Sequence, residues 1–316
     1  MSSVVAPSQS ATPDAGPDHA APDRRGLIAG LVSYPLWGFL PLLFDAAEHS
    51  GAGAFEIVAW RTIWSLPLAI ALVLAMDGGA SIRAVLAAPR VLLALALSAA
   101  LIAVNWTTYV WAVVNGHILP ASLGYYINPL LNMAAGAVMF RERISRTGYA
   151  AIALAVTGVV IQGVALQGPP WIPLILGFSF CGYGIVRKTA AVSAQTGLLV
   201  ECVYLAVPAI AYAGWLTASG HGVFGKAAAP NLLLMACGPA TVAPLALFAF
   251  AARRLPLTLI GFLQFIGPTL QFCCGLAAGE TLTPLTAVSF GFIWAGVLVF
   301  AAGALIRGRR RRLGSG

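Results

Sequence analysis

Charged residues are what this sequence has least of. Asp, Glu, Lys and Arg make up 9% of its 316 residues, against roughly 25% in ordinary soluble domains. With 59% apolar residues, a soluble fold would be a core with almost no surface, and that class is excluded. Cysteine is sparse as well. Cys181, Cys202, Cys237, Cys273 and Cys274 show no C-x-x-C spacing, which points to small apolar packing residues rather than a metal or redox motif. The signatures H-E-x-x-H, G-x-S-x-G and G-x4-G-K-S/T are absent. No zinc-protease helix, nucleophile elbow or nucleotide-binding loop is therefore expected, and an ATP-driven pump would need a partner to supply its motor. No metal or cofactor is expected. Strand-like alternation is missing too, which excludes a porin-type barrel.

What the chain does have is a series of continuous apolar runs, many near or above the ~18–20 residues that cross a bilayer. We read ten spans, over roughly 26–46, 57–76, 90–112, 119–140, 147–166, 171–188, 196–218, 229–251, 256–277 and 284–306. In lipid each segment must satisfy its own backbone, so these are helices. The expected fold is an all-α polytopic membrane protein. With the N-terminus in the cytoplasm, all but two of the 18 Lys and Arg fall in cytoplasmic segments. The exceptions are Lys226, in an opposite loop, and Arg61, inside span 2. The positive-inside rule thus predicts cytoplasmic N- and C-termini in the inner (plasma) membrane. The formal net charge of +8 is accounted for by these topology signals, so no nucleic acid is expected. Arg309 to Arg312 form a compact cluster, suited to anionic lipid headgroups at about 1 kcal/mol per residue. Residues 1–23 are rich in Ser, Ala, Pro and Asp and read as a disordered cytoplasmic tail without a signal-peptide h-region.

The chain also resembles itself. Leu119-Pro120, Ile127-Asn128-Pro129, Glu142 and Gly158 recur as Leu255-Pro256, Ile266-Gly267-Pro268, Glu280 and Gly296. Ser33-x3-Trp37-Gly38 recurs as Ser179-x3-Tyr183-Gly184, and Pro67 of span 2 matches Pro208 of span 7. Each offset is close to half the chain. Spans 1–5 therefore match spans 6–10, and because five is odd the second half enters from the opposite side. The reading is an inverted 5+5 repeat, with repeats at 24–166 and 167–306 and a basic cytoplasmic tail at 307–316. Pro129 and Pro268 each free a carbonyl inside a span, a mechanical device or simply the usual frequency of membrane proline.

These residues resemble the drug/metabolite transporter superfamily, in its EamA-type members, and within it the RarD family of permeases often labelled chloramphenicol-sensitive proteins. The resemblance rests on Tyr34-Pro-Leu-Trp37-Gly38, Glu56-x4-Arg61-x2-Trp64-Ser65, Asn105-Trp106 and Ala121-Ser-Leu-Gly124-Tyr-Tyr-Ile-Asn128-Pro129. It continues through Tyr183-Gly184-x2-Arg187-Lys188, Gln195-Thr196-Gly197 and Gly261-Phe-Leu-Gln264-Phe-Ile-Gly267-Pro268, and so covers about 26–306. It departs at Leu259-Ile260-Gly261, where the register shifts by one residue. It implies an inner-membrane permease with a central cavity, peripheral spans 5 and 10, and export or exchange of small organic metabolites or drugs. The label does not establish chloramphenicol as a substrate.

Polar residues in the spans are the candidate site. A charge there costs roughly 2.5–3.5 kcal/mol on insertion scales and normally faces a cavity or a partner. Arg61, flanked by Trp60 and Trp64, would bind an anionic substrate group, pair with Glu56, or snorkel to the headgroups. Glu201 is a protonatable or amine-binding carboxylate, or a salt-bridge partner of Arg187 or Lys188. Glu142 and Glu280, at span ends, cap neighbouring helices or latch gates. A ring of Asn105, Trp106, Tyr109, Tyr125, Tyr126, Asn128, Asn132, Ser179, Tyr183, Tyr204, Gln264 and Gln271 supplies aromatic and amide groups, suiting an amphipathic organic solute. Some of them would instead hold helices together. The leading reading is a secondary transporter of small molecules working by alternating access. An intramembrane lipid-modifying enzyme and a non-transporting sensor are the alternatives. The sequence leaves open association as a homodimer.

Overall fold

A computed structural model describes residues 23–140, 145–165, 169–252, 254–255 and 263–313. Within them the chain is helical, with no strand. The helices are α1 (Arg24–Gly38), α2 (Leu40–His49), α3 (Ala54–Met76), α4 (Gly79–Leu86), α5 (Pro89–Val114), α6 (Ile118–Phe140), α7 (Arg146–Ala165), α8 (Trp171–Thr189), α9 (Ala194–Ser219), α10 (Ala228–Ala252), α11 (Ile266–Ala277) and α12 (Pro284–Leu313). Seven helical stretches are long and apolar enough to cross a bilayer, α1 and α2 together forming one of them. The chain is a multi-pass membrane protein. The other three expected spans fall on α6, on α8, whose last turn carries Arg187 and Lys188, and on α11, a shorter apolar helix.

Three local features depart from the span reading. The first span breaks at Phe39, because Pro41 cannot donate to the Trp37 carbonyl. Gln271 Nε2 of α11 donates to that carbonyl instead, at 3.3 Å. The stretch after α3, left between spans 2 and 3 by the span reading, forms α4, whose Val85 packs with Leu95 and Val200. Gly78, at a φ of 75°, makes the turn into it. At the other end α12 continues to Leu313, so the Arg309–Arg312 run extends a helix where a tail was expected.

The bundle packs around few large side chains and several close backbone approaches. The main core joins Phe44, Ile57, Tyr109, Val110, Ile172, Leu176, Leu234 and neighbours from α2, α3, α5, α8 and α10. Helices α7 and α12 meet at the two glycines of the sequence repeat. A Cβ at Gly158 would lie 2.8 Å from the Ser289 carbonyl oxygen, and one at Gly296 would lie 2.9 Å from the Ala151 carbonyl oxygen. The two contacts are reciprocal, and they run in opposite directions along the pair. Ser289 Oγ donates to the Gly158 carbonyl at 2.7 Å. The four cysteines Cys181, Cys202, Cys237 and Cys274 are buried, Cys273 is exposed, and all five are free thiols.

Candidate functional site

Arg61 sits on α3 among apolar residues, with 3% of its surface exposed. Its position follows from the close packing of α3 on α10, where Gly238 lies against the Trp64 backbone, 2.3 Å from an added Cβ to the carbonyl carbon. That approach brings Thr241 Oγ1 to 2.6 Å from Arg61 Nε, which donates to it. Thr241 in turn donates to the Cys237 carbonyl at 2.8 Å. The guanidinium carbon lies 4.3 Å from the Trp106 ring centroid and 5.4 Å from that of Phe44, cation–π contacts of roughly 0.5–2 kcal/mol each. No carboxylate pairs with Arg61 among the described residues. Glu56, the partner considered from sequence, instead accepts from the Val223 and Phe224 amides at 2.9 and 3.2 Å. Nor does Arg61 snorkel, since it is fully packed.

Around Arg61 the candidate residues fall into two groups. Asn105 is tied into the scaffold. Its Nδ2 donates to the Leu176 carbonyl and to Ser179 Oγ, both at 3.0 Å, and its Oδ1 accepts from Tyr125 at 3.0 Å. This network knits α5, α6 and α8 together. Tyr126 shares a hydrogen bond with Thr269 at 2.7 Å. The second group is buried and under-satisfied: Arg61 Nη1, Trp64 Nε1 and both amide atoms of Asn128 have no protein partner, while Tyr109 OH and the Gln271 amide lie beside each other without closing a full hydrogen bond. Tyr109 packs edge-on to Phe44 and Tyr125. Native proteins leave few such groups, and those that persist call for a ligand, water or strain to explain them.

Glu201 anchors a separate cluster further along α9. It is 1% exposed and accepts from Ser98 Oγ at 2.5 Å and Tyr183 OH at 3.3 Å. Arg187 Nε lies 3.6 Å from its Oε1, which makes the salt-bridge alternative the observed one, with Arg187. Arg187 also donates through Nη2 to the Ser193 and Ala194 carbonyls at 3.2 and 3.0 Å. Beside this cluster Asp77 closes the end of α3 onto the start of α9. It accepts from Ser193 Oγ, from the Thr196 amide at 3.2 Å and from Thr196 Oγ1 at 2.8 Å.

Glu280 follows α11 and receives the Ile118 amide and, at 2.9 Å, the Leu119 amide. It therefore caps the N-terminus of α6, where the helix dipole favours an anion. Burial lifts its carboxyl above the ordinary carboxylate range, against the lowering effect of the two amides.

Several candidates stand elsewhere. Tyr204 is 38% exposed and donates to the Leu92 carbonyl at 3.3 Å. The inward stripe of α9 runs Cys202, Ala206, Ala209 and Ala213, which turns residue 204 to the outer surface. Asn132, one turn beyond buried Asn128, is exposed beside Gly184. Gln264 is half-buried ahead of α11. Pro129 lies within the 23-residue α6, whereas its repeat counterpart Pro268 opens α11. A proline in a first turn removes no helical bond, so the two prolines are not equivalent in local structure. Glu142 lies outside the described residues. Ser98, Thr241 and Asp77 were not singled out from sequence.

The apolar bundle is that of a multi-pass membrane protein, and comparison with known proteins gives its class as a membrane transporter. Residues 24–163 match the EamA-like transporter family. Protein RarD of Streptomyces exfoliatus is 38% identical over 291 residues, 92% of each chain. Protein RarD of Salmonella typhi is 40% identical over 290 residues, covering 91% of this chain and 98% of that one. The uncharacterized transporter PA0485 of Pseudomonas aeruginosa is 40% identical over 283 residues, 88% and 93% of the two chains. A solved structure titled "Crystal structure of protein" superposes with a TM-score of 0.56 at 20% identity, covering 90% and 98%, and bears on the fold alone. This chain belongs to the RarD family of EamA-type transporters.

Proposed function

We propose that this protein is a secondary transporter that moves small organic metabolites or drugs across the inner membrane by alternating access. The observation that carries the reading is the set of buried polar groups left without full partners on Arg61, Trp64, Tyr109, Asn128 and Gln271, of which Arg61, Tyr109 and Gln271 are neighbours. It draws on α3, α5 and α6 from the first repeat and on α11 from the second. A site at the contact of two repeats is where transporters hold their solutes. On this reading ten spans form the inverted five-plus-five repeat, with both termini cytoplasmic.

The packing supports that symmetry. The Gly158–Ser289 and Gly296–Ala151 contacts exchange under the repeat, and an antiparallel pair with reciprocal contacts has its two-fold axis across the helices. Gly124 against Leu176 and Leu263 against Gly30 form a second exchanged pair. Glu280 on the α6 N-terminus closes the outer side, while Asp77 and the Glu201–Arg187 pair join helices at the cytoplasmic side. Alternating access then requires each set to release in turn.

The test is a metabolite screen of cells with and without the gene, followed by counterflow in liposomes of the purified protein. Accumulation of labelled solute against an unlabelled internal pool supports transport. Turnover to a product, or binding of the enriched solute without exchange, refutes it.

A further inference from the structure

We propose that the centre, packed in this conformation, takes an organic monoanion when it opens, its carboxylate on Arg61 and its flat, unsaturated body against the rings of Phe44, Trp106 and Tyr109. This rests on the reading of the cluster as the transported solute's site and adds its charge class.

Arg61 is buried without a carboxylate partner among the described residues, and the nearby acid that could have served, Glu56, is held by the Val223 and Phe224 amides. Glu201 is engaged by Arg187, Ser98 and Tyr183. An uncompensated cation in an apolar bundle calls for an anion from outside the chain.

The geometry then limits which anion. Thr241 fixes Nε, and the Trp106 and Phe44 rings fix the plane of the guanidinium. Nη1 is left without a partner. Trp64 Nε1 adds an unpartnered donor, and Tyr109 OH, beside the Gln271 amide, adds a hydroxyl able to donate. A carboxylate offers several lone pairs for such donors and matches the planar fork of an arginine. The side chains placed at this site include no second lysine or arginine, so a single negative charge is balanced and a phosphate dianion is not. Asn128 adds two unpartnered amide atoms, which a halide would leave unsatisfied and a polar substituent on an organic body would not. The aromatic faces favour a planar hydrocarbon body over an inorganic ion.

The experiment uses the full chain purified in detergent or nanodiscs, with benzoate, indole-3-acetate, their neutral amides, benzylamine and chloride as probes. Thermal stabilisation and tryptophan fluorescence report binding, Trp106 lying against Arg61. The carboxylates are expected to bind at least tenfold more tightly than their amides, with Arg61→Gln abolishing that preference and Arg61→Lys restoring part of it. Amides binding as well as carboxylates overturn the proposal, as do benzylamine preferred over benzoate, chloride stabilising as strongly as benzoate, or no binding by any probe up to millimolar concentration. Should Arg61→Gln not fold, the carboxylate–amide comparison on the unaltered protein decides alone. Counterflow separates the two readings. A neutral solute exchanged equally by the unaltered protein and Arg61→Gln refutes the charge class and leaves transport standing. Arg61-dependent carboxylate binding without any exchange keeps the site and refutes transport.

Discussion

Replacing Gly197 with alanine is expected to destabilise the protein, and to stabilise it once Arg187 is gone. Gly197 lies in the second turn of α9, where alanine is ordinarily better than glycine by about 1 kcal/mol. Here a Cβ would lie 1.6 Å from Arg187 Nη1 and 2.4 Å from its guanidinium carbon. The guanidinium is the end of a flexible side chain, so it moves and the backbone stays. In moving it loses its bonds to the Ser193 and Ala194 carbonyls and its place beside Glu201, so the two bonds set a lower bound on the cost. Hydrogen bonds to charged groups contribute about 1.5–3 kcal/mol each, and these two lie near the surface, at the lower end. Two losses of about 1.5 kcal/mol against a gain of about 1 leave a net destabilisation of about 2 kcal/mol. In an Arg187→Ala background the three nearest obstructing atoms are gone, and Gly197→Ala should stabilise by up to about 1 kcal/mol. The coupling is therefore about 3 kcal/mol, measurable in a double-mutant cycle from reversible unfolding in mixed micelles followed by circular dichroism. Equal destabilisation in both backgrounds would refute the placement of Arg187 across the α9 backbone.

Other expectations follow from the same contacts. Asp77→Asn should weaken the junction of α3 with α9 by about 1–2 kcal/mol, as loss of a charged helix-capping acceptor does, with the unfolding midpoint as the readout. Glu280 carries a carboxyl lifted by burial in its clasp on α6, so its release into water lowers the pKa and frees a proton. Acidification therefore favours the clasped state, and that advantage is lost as pH rises from the ordinary value of 4.5 through the raised one. Labelling of a cysteine placed at Asn115 should increase over that interval, and Glu280→Gln should flatten the profile. Tyr204→Phe removes a bond at the exposed flank and should leave counterflow unchanged, whereas Tyr109→Phe, in the central cluster, should reduce it; equal effects would contradict the placement of both.

Much of the bundle was legible because continuous apolar runs report on contact with lipid, which is a bulk property. Features set by a few atoms were not. The α1–α2 break depends on one missing N–H at Pro41, which averaging over a span conceals. The eight residues of α4 are too short and too mixed to stand out from a loop. Within the site, Arg61 announced itself by its charge, but Thr241 and Ser98 did not. A lone hydroxyl in an apolar helix usually bonds its own backbone, and nothing in its spacing says that an arginine or glutamate faces it. Tyr204 was assigned inward by composition. Its neighbours Cys202, Ala206, Ala209 and Ala213 carried the opposing signal, a stripe of small residues marking the packed face.

On the proposed mechanism the buried polar groups of Arg61 and Asn128 face the two sides of the membrane alternately. This is tested most directly by placing a cysteine at Asn128 in a protein whose five native cysteines have been replaced. The substituted protein is then exposed to a membrane-impermeant thiol reagent from each side in turn, in oriented vesicles that support counterflow. Labelling from both sides is the result this account predicts. Labelling from one side only, or from neither, while exchange proceeds would contradict it.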